Sequence, residues 1–226
     1  MKFDKAPARV TFDNEKLPLN MVTWGVPADG VVSISDSKLN LKCIRQKLDD
    51  DIHQESFEVV LSDDNYVAFL GERQCSIDCT ATCKMHFTPE GQEAAGLALV
   101  QAMNHQLQIE RVLVDGSQVL RVVLVTCDYD RPPYFPGFTS VVNKEILGSV
   151  KWDAEDIVLR IDVKGEDFTI YYGADENSMQ ELCKADGHLI NPEKVGCMTG
   201  TLIGMFATGN GEDIDNQAQF EWFEMK

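Results

Sequence analysis

Between Gln74 and Phe87 the chain alternates without a break. Cys75, Ile77, Cys79, Ala81, Cys83, Met85 and Phe87 occupy the odd positions, and every even position is polar. A period of two over fourteen residues predicts a strand with one face on a core and one in water. The same alternation places Leu39, Leu41 and Cys43 against Lys38, Asn40 and Lys42, and Leu107 and Ile109 against Gln106, Gln108 and Glu110. Residues 95–102 are apolar on both faces, as in a central strand. Further strands are expected over 118–127, 156–165, 167–174, 200–208 and 218–225, the last with Phe220 and Trp222 on its core side. Turn residues separate them at Pro89-Glu90-Gly91, Asp115-Gly116, Gly165-Glu166 and Asn210-Gly211. Helical periodicity is nearly absent, and only 176–185 suggests a helical turn or two. Twelve or more strands at this spacing predict one antiparallel sandwich spanning residues 1–226.

Periodicity also decides what the cysteines at 75, 79 and 83 do. Residues four apart on a strand lie roughly 13 Å from one another, whereas all ligands of one zinc lie within about 2.3 Å of it. No single ion and no disulfide joins these three, so they serve as small core hydrophobes. The seven cysteines are an odd number. With no apolar leader in the first dozen residues, reduced thiols in a cytoplasmic setting are expected. No run reaches the ~18 apolar residues of a membrane helix. The net charge of −17 disfavours nucleic acid and anionic membranes.

Residues 69–110 carry Arg73-Gln74 opening a strand, Phe87-Thr88-Pro89, and Ala95-Gly96-Leu97 running to Gln101. Residues 198–211 and 218–225 supply a Met198-Thr199-Gly200 strand and a closing Glu221-Trp222-Phe223, and 158–173 form a hairpin. In these features the chain resembles the C-terminal β-sandwich module of glycoside hydrolase family 43 β-xylosidases and α-L-arabinofuranosidases. It departs from that pattern at Met198, where an aromatic is usual, and at Glu221, where aspartate is usual. Residues 126–149 are longer than the family's link, and 22–31 match loosely. The resemblance implies an all-β, concanavalin A-like jelly roll of two antiparallel sheets. It also implies an accessory role, because the family's chemistry belongs to a separate five-bladed propeller and this chain has no residues to spare for one. No catalytic residue carries over. The expected partners are an oligosaccharide of the xylose, arabinose or glucose class, or a glycoside hydrolase catalytic domain. A protein-interaction module without sugar binding remains open, as does a hydrolase whose propeller is on another chain or missing.

Three groups of residues are candidates for a site. Trp24, Tyr129, Tyr134, Phe135, Phe138 and Trp152 could stack on sugar rings, since Tyr and Trp join an apolar body to a polar handle; the alternative for Tyr129 to Phe138 is a loop folded onto the sandwich. Asp213, Asp215 and Asn216, with Asp13, Glu15 and Glu221, could hold a structural calcium; a solvated acidic turn is the alternative. Asp49, Asp50, Asp51 and His53 are adjacent in an extended segment and point to alternating sides, so they read as a surface loop. His86 and His105 sit on polar strand faces without a partner at diagnostic spacing.

Overall fold

The computed structural model describes residues 9–14, 16–49, 66–130, 140–195 and 200–226. The first strands are β1 (Arg9–Thr11), β2 (Val22–Thr23), β3 (Val32–Ser35), β4 (Lys38–Lys42) and β5 (Ala68–Arg73). The long central strands follow: β6 (Asp78–His86), β7 (Ala94–Ala102), β8 (His105–Val114), β9 (Ser117–Tyr129) and β10 (Ser140–Lys151). The chain closes with β11 (Asp156–Lys164), β12 (Asp167–Gly173), β13 (Gln180–Asp186), β14 (Leu202–Thr208) and β15 (Gln217–Met225). All pairings are antiparallel. One sheet runs β13-β12-β11-β6-β15-β4-β3, with β1 added on β15; the other runs β10-β9-β8-β7-β14-β5-β2. This is the expected all-β sandwich.

The core lies between the sheets. Leu39, Leu41, Ala81, Cys83, Met85 and Ile161 face Leu97, Leu107, Ile109, Leu120, Val122 and Met205, and all are buried. Two-residue turns set the hairpin registers. Asp115 and Gly116 both have positive φ, 49° and 74°, and close β8 on β9 with Val114 opposite Ser117. β7, apolar on both faces, is the central strand of its sheet.

The structure corrects five sequence readings. β6 starts at Asp78, so Cys75 and Ile77 lie before it in solvent, Ile77 at 77% exposure. Residues 180–186 form β13, an edge strand on β12, and helix appears only afterwards, at 187–190 and 192–195. Its apolar spacing is ambiguous because an edge strand buries little. β10 was not foreseen for the same reason: it is a charged edge strand with a bulge between Ile146 and Gly148. A bulge between Phe220 and Trp222 lets Phe220 and Phe223 both enter the core. Trp222 therefore turns outward, where the Arg9 guanidinium sits 3.9 Å from its ring centre. Finally, Gln106, Gln108 and Glu110 are buried, although they occupy the polar side of β8. That side of the sheet carries the candidate site.

Candidate functional site

The outer face of the seven-stranded sheet is built around a strip of small residues. Ala98 on β7 stands opposite Gly204 on β14, and Gly204 opposite Gly71 on β5. A Cβ at Gly71 or Gly204 would fall 2.8 or 2.7 Å from the Phe69 ring, so both glycines leave room for it. Phe69, Phe206, Val100, Leu48 and Val67 form a second apolar cluster on this face. Trp24 meets Phe69 edge-on, with ring centres 6.4 Å apart and planes at 88°.

Two cavities flank this cluster. The first, of about 440 Å³, is lined by Trp24, Thr23, Arg73, Gln101, Gly200 and Leu202, among others. Arg73 donates to the Gly200 carbonyl at 3.1 Å, and Thr201 donates to Gln101 Oε1 at 2.6 Å. The second, of about 290 Å³, lies over β8, β9 and β10 against the Lys47–Asp49 segment. There Arg121 pairs with Glu110 at 2.7 Å and Lys144 with Asp49 at 2.5 Å. Burial raises the Glu110 carboxyl above its ordinary range, while Arg121 pulls it back down.

Of the three sequence-predicted aromatics among the described residues, Trp24, Tyr129 and Trp152, Trp24 alone lines a cavity described above. Tyr129 accepts a hydrogen bond from Asn104 at 2.8 Å and stacks on His105 at 6.0 Å. Trp152 packs edge-on against Tyr172 and donates to the Asp156 carbonyl at 3.1 Å, so it belongs to the margin of the core. Tyr134, Phe135 and Phe138 lie outside the described residues. So do Glu15, Asp50, Asp51 and His53.

The candidate calcium ligands are engaged separately. Asp213 accepts from the Arg45 backbone at 3.0 Å and from its guanidinium at 2.8 Å, which holds its carboxyl below the usual range. Asp13 accepts from Thr11 at 2.6 Å, and Asp215 is exposed. Asn216 donates to Thr88 and Glu93, bracing the turn at 88–93. Glu221 faces Lys84 at 2.9 Å and His86 Nε2 at 2.7 Å. Burial works to raise the Glu221 carboxyl, but these two neighbours outweigh it and lower it. No group of three His, Cys, Asp or Glu able to hold a metal ion occurs among the described residues.

Sequence spacing missed contacts made across strands. His86 Nδ1 meets Asp156 Oδ1, so a carboxylate stands at each ring nitrogen, contributed by β11 and β15. Register creates this: Asp156 and Gln219 are the direct partners of His86, and the bulge then delivers Glu221. Asp49, read as a loop residue, is almost wholly buried against Lys144. Arg73 and Gln101, which the sequence marks only as strand-end signatures, line the same cavity as Trp24.

The family model for the beta xylosidase C-terminal concanavalin A-like domain matches residues 9–226. The chain belongs to this family. A curated relative, the non-reducing end alpha-L-arabinofuranosidase of Bacteroides ovatus, is 25% identical over 222 residues, covering 97% of this chain and 37% of the relative. Among solved structures, a xylan beta-1,4-xylosidase from Bacillus halodurans superposes with a TM-score of 0.77 at 20% identity, over 100% of this chain and 40% of that one. A protein from Saccharomyces cerevisiae described as functionally unknown has a TM-score of 0.55 at 15% identity, covering 91% of this chain and 94% of that chain. The chain thus spans about two fifths of the enzymes it matches, and these structural likenesses speak to fold. In this chain both cavities described above open on the seven-stranded sheet, where Gln101, Gln108 and Glu110 are buried polar residues.

Proposed function

We propose that this chain is the non-catalytic accessory module of a glycoside hydrolase family 43 protein and that it packs on a catalytic domain through its β2 edge. The observation that carries the reading is a concentration of exposed apolar side chains beside the first cavity. Leu17, Leu19, Val22 and Val26 are exposed within ten residues, and Leu19 is fully so. Val22 belongs to the edge strand β2, and the other three flank it and Trp24 in sequence. Large apolar side chains gathered on a surface mark an interaction site more often than chance. Arg73 at the rim adds the polar anchor that such interfaces favour. The remaining three fifths of each matched enzyme supplies a partner of the right class.

The test is a hydrogen-exchange comparison of the chain alone and mixed with a family 43 catalytic domain. Protection over residues 17–26 and 71–73 supports the reading. Protection confined to the outer face of the eight-stranded sheet overturns it.

The oligosaccharide part of the expectation rests, in our proposal, on Trp24. Its half-buried ring beside Arg73 and Gln101 offers an apolar surface and polar partners together. Titration with xylo- and arabino-oligosaccharides while following tryptophan fluorescence tests it; an unchanged response in Trp24→Phe would refute it.

A further inference from the structure

The second cavity plays no part in the docking reading. Its floor is a row across three strands: Gln108 on β8 opposite Val123 on β9, and Val123 opposite Ile146 on β10. The next row pairs Glu110 with Arg121. Asp49 and Asn210 approach from loops at its margin.

The charges here close on one another. Glu110 and Asp49 are nearly buried, with side-chain exposures of 7% and 9%, and each already holds a cation. An ionic ligand would have to break one of these pairs. A neutral ligand would not. A carboxylate nevertheless has about four acceptor sites and a guanidinium five donors, so a single ion pair leaves directed capacity for hydroxyl groups. Gln108 and Asn210 add amides whose NH2 groups each already make one bond, Gln108 Nε2 to Gln106 Oε1 at 3.2 Å and Asn210 Nδ2 to the Gln92 carbonyl at 2.5 Å, and each NH2 carries a second hydrogen. Ile146, 57% exposed at the rim, supplies apolar surface, with Val123 and Phe206 buried beneath. Apolar floor and convergent polar groups are the usual make-up of a small-molecule site. Hydroxyls on one side and C–H faces on the other are the chemistry of a sugar. The volume, about 290 Å³, falls just below the ~300–1,000 Å³ range of ligand pockets, which suits a short unit rather than a polymer chain.

We infer that the groove over β8, β9 and β10, bounded by Gln108, Glu110, Arg121, Lys144, Asp49 and Ile146, binds a short neutral saccharide. It is separate from the β2 edge, so it can stand or fall without the docking surface and without the Trp24 reading.

The experiment is a ¹H–¹⁵N titration of the full chain with xylobiose, arabinobiose and cellobiose, each to about 20 mM, enough to reveal a millimolar site. Saturable shifts should centre on residues 108, 110, 121, 144 and 146. Lys144→Met and Ile146→Asp alter side chains that are at least half exposed, so spectral dispersion should be retained. Each should weaken binding by about fivefold or more, the effect of losing one good contact. Arg160→Ala, on the opposite sheet, should leave it unchanged. Failure of all three sugars to give saturable shifts overturns the inference. So does a shift pattern centred on Trp24, or folded Lys144→Met and Ile146→Asp proteins that bind as the parent does.

Discussion

His105 is 1% exposed, stacked on Tyr129, with Nδ1 2.9 Å from Asn104 Oδ1. Burial disfavours its charged form and pulls its pKa down to about 4. The Cys127 backbone and Asp128 oppose that shift, and Lys194 adds to it. In an unfolded chain the ring titrates near 6.5, so from that pH downward the unfolded state binds the extra proton first. Stability is therefore lost as pH falls from 6.5 towards 4, and is unaffected by this group above 6.5. Between pH 7.5 and 4.5 the loss amounts to about 2–3 kcal/mol. His105→Phe keeps a ring against Tyr129 but cannot titrate. Urea unfolding of both proteins across this range, followed by tryptophan fluorescence, isolates the effect, because the carboxylates contribute equally to each. The parent should lose about 2–3 kcal/mol relative to the variant on going to pH 4.5. A difference constant to within about 0.5 kcal/mol, the usual scatter of distant effects, would refute the reasoning, as would an NMR titration of the ring near its ordinary value.

Other outcomes follow from the packing. A Cβ on Gly96 would stand 1.8 Å from the Ile109 carbonyl oxygen, so Gly96→Ala must part β7 from β8; thermal unfolding should show a loss above about 3 kcal/mol, or no folded protein. Phe69→Ala should cost about 3–5 kcal/mol in urea unfolding, because its ring fills the space over Gly71 and Gly204. Leu19→Asp should change stability by less than about 0.5 kcal/mol while abolishing association with a catalytic domain. With a thiol reagent, Cys75 should react at once, whereas buried Cys43, its thiol pushed up to about 12, and buried Cys83 should react only on unfolding.

The strands that bury one full face were legible because alternation survives in them: β4, β7, β8, β11 and β12 lie where the pattern places them. Edge strands were not. β10 and β13 bury too little for burial to mark their period, and charges that protect an edge look like loop. A bulge is equally silent in a pattern of two, which is why Trp222 was assigned to the core in place of Phe223. The site was less legible still. Alternation shows that Gln106, Gln108 and Glu110 share a face, but not that the face is covered. Ion pairs such as Lys144–Asp49, and the carboxylates at both nitrogens of His86, join residues about 70 to 135 positions apart, or 95 for Lys144 and Asp49. Such distances in sequence carry no local signal.

The central claim is that the β2 edge seats a family 43 catalytic domain. Sedimentation velocity tests it most directly, using this chain mixed with the Bacteroides ovatus arabinofuranosidase and the Bacillus halodurans xylosidase, each shortened to remove its own C-terminal sandwich. The account predicts a one-to-one complex with at least one of them, lost in Leu19→Asp. Independent sedimentation with both enzymes, or a complex that Leu19→Asp leaves intact, would contradict it.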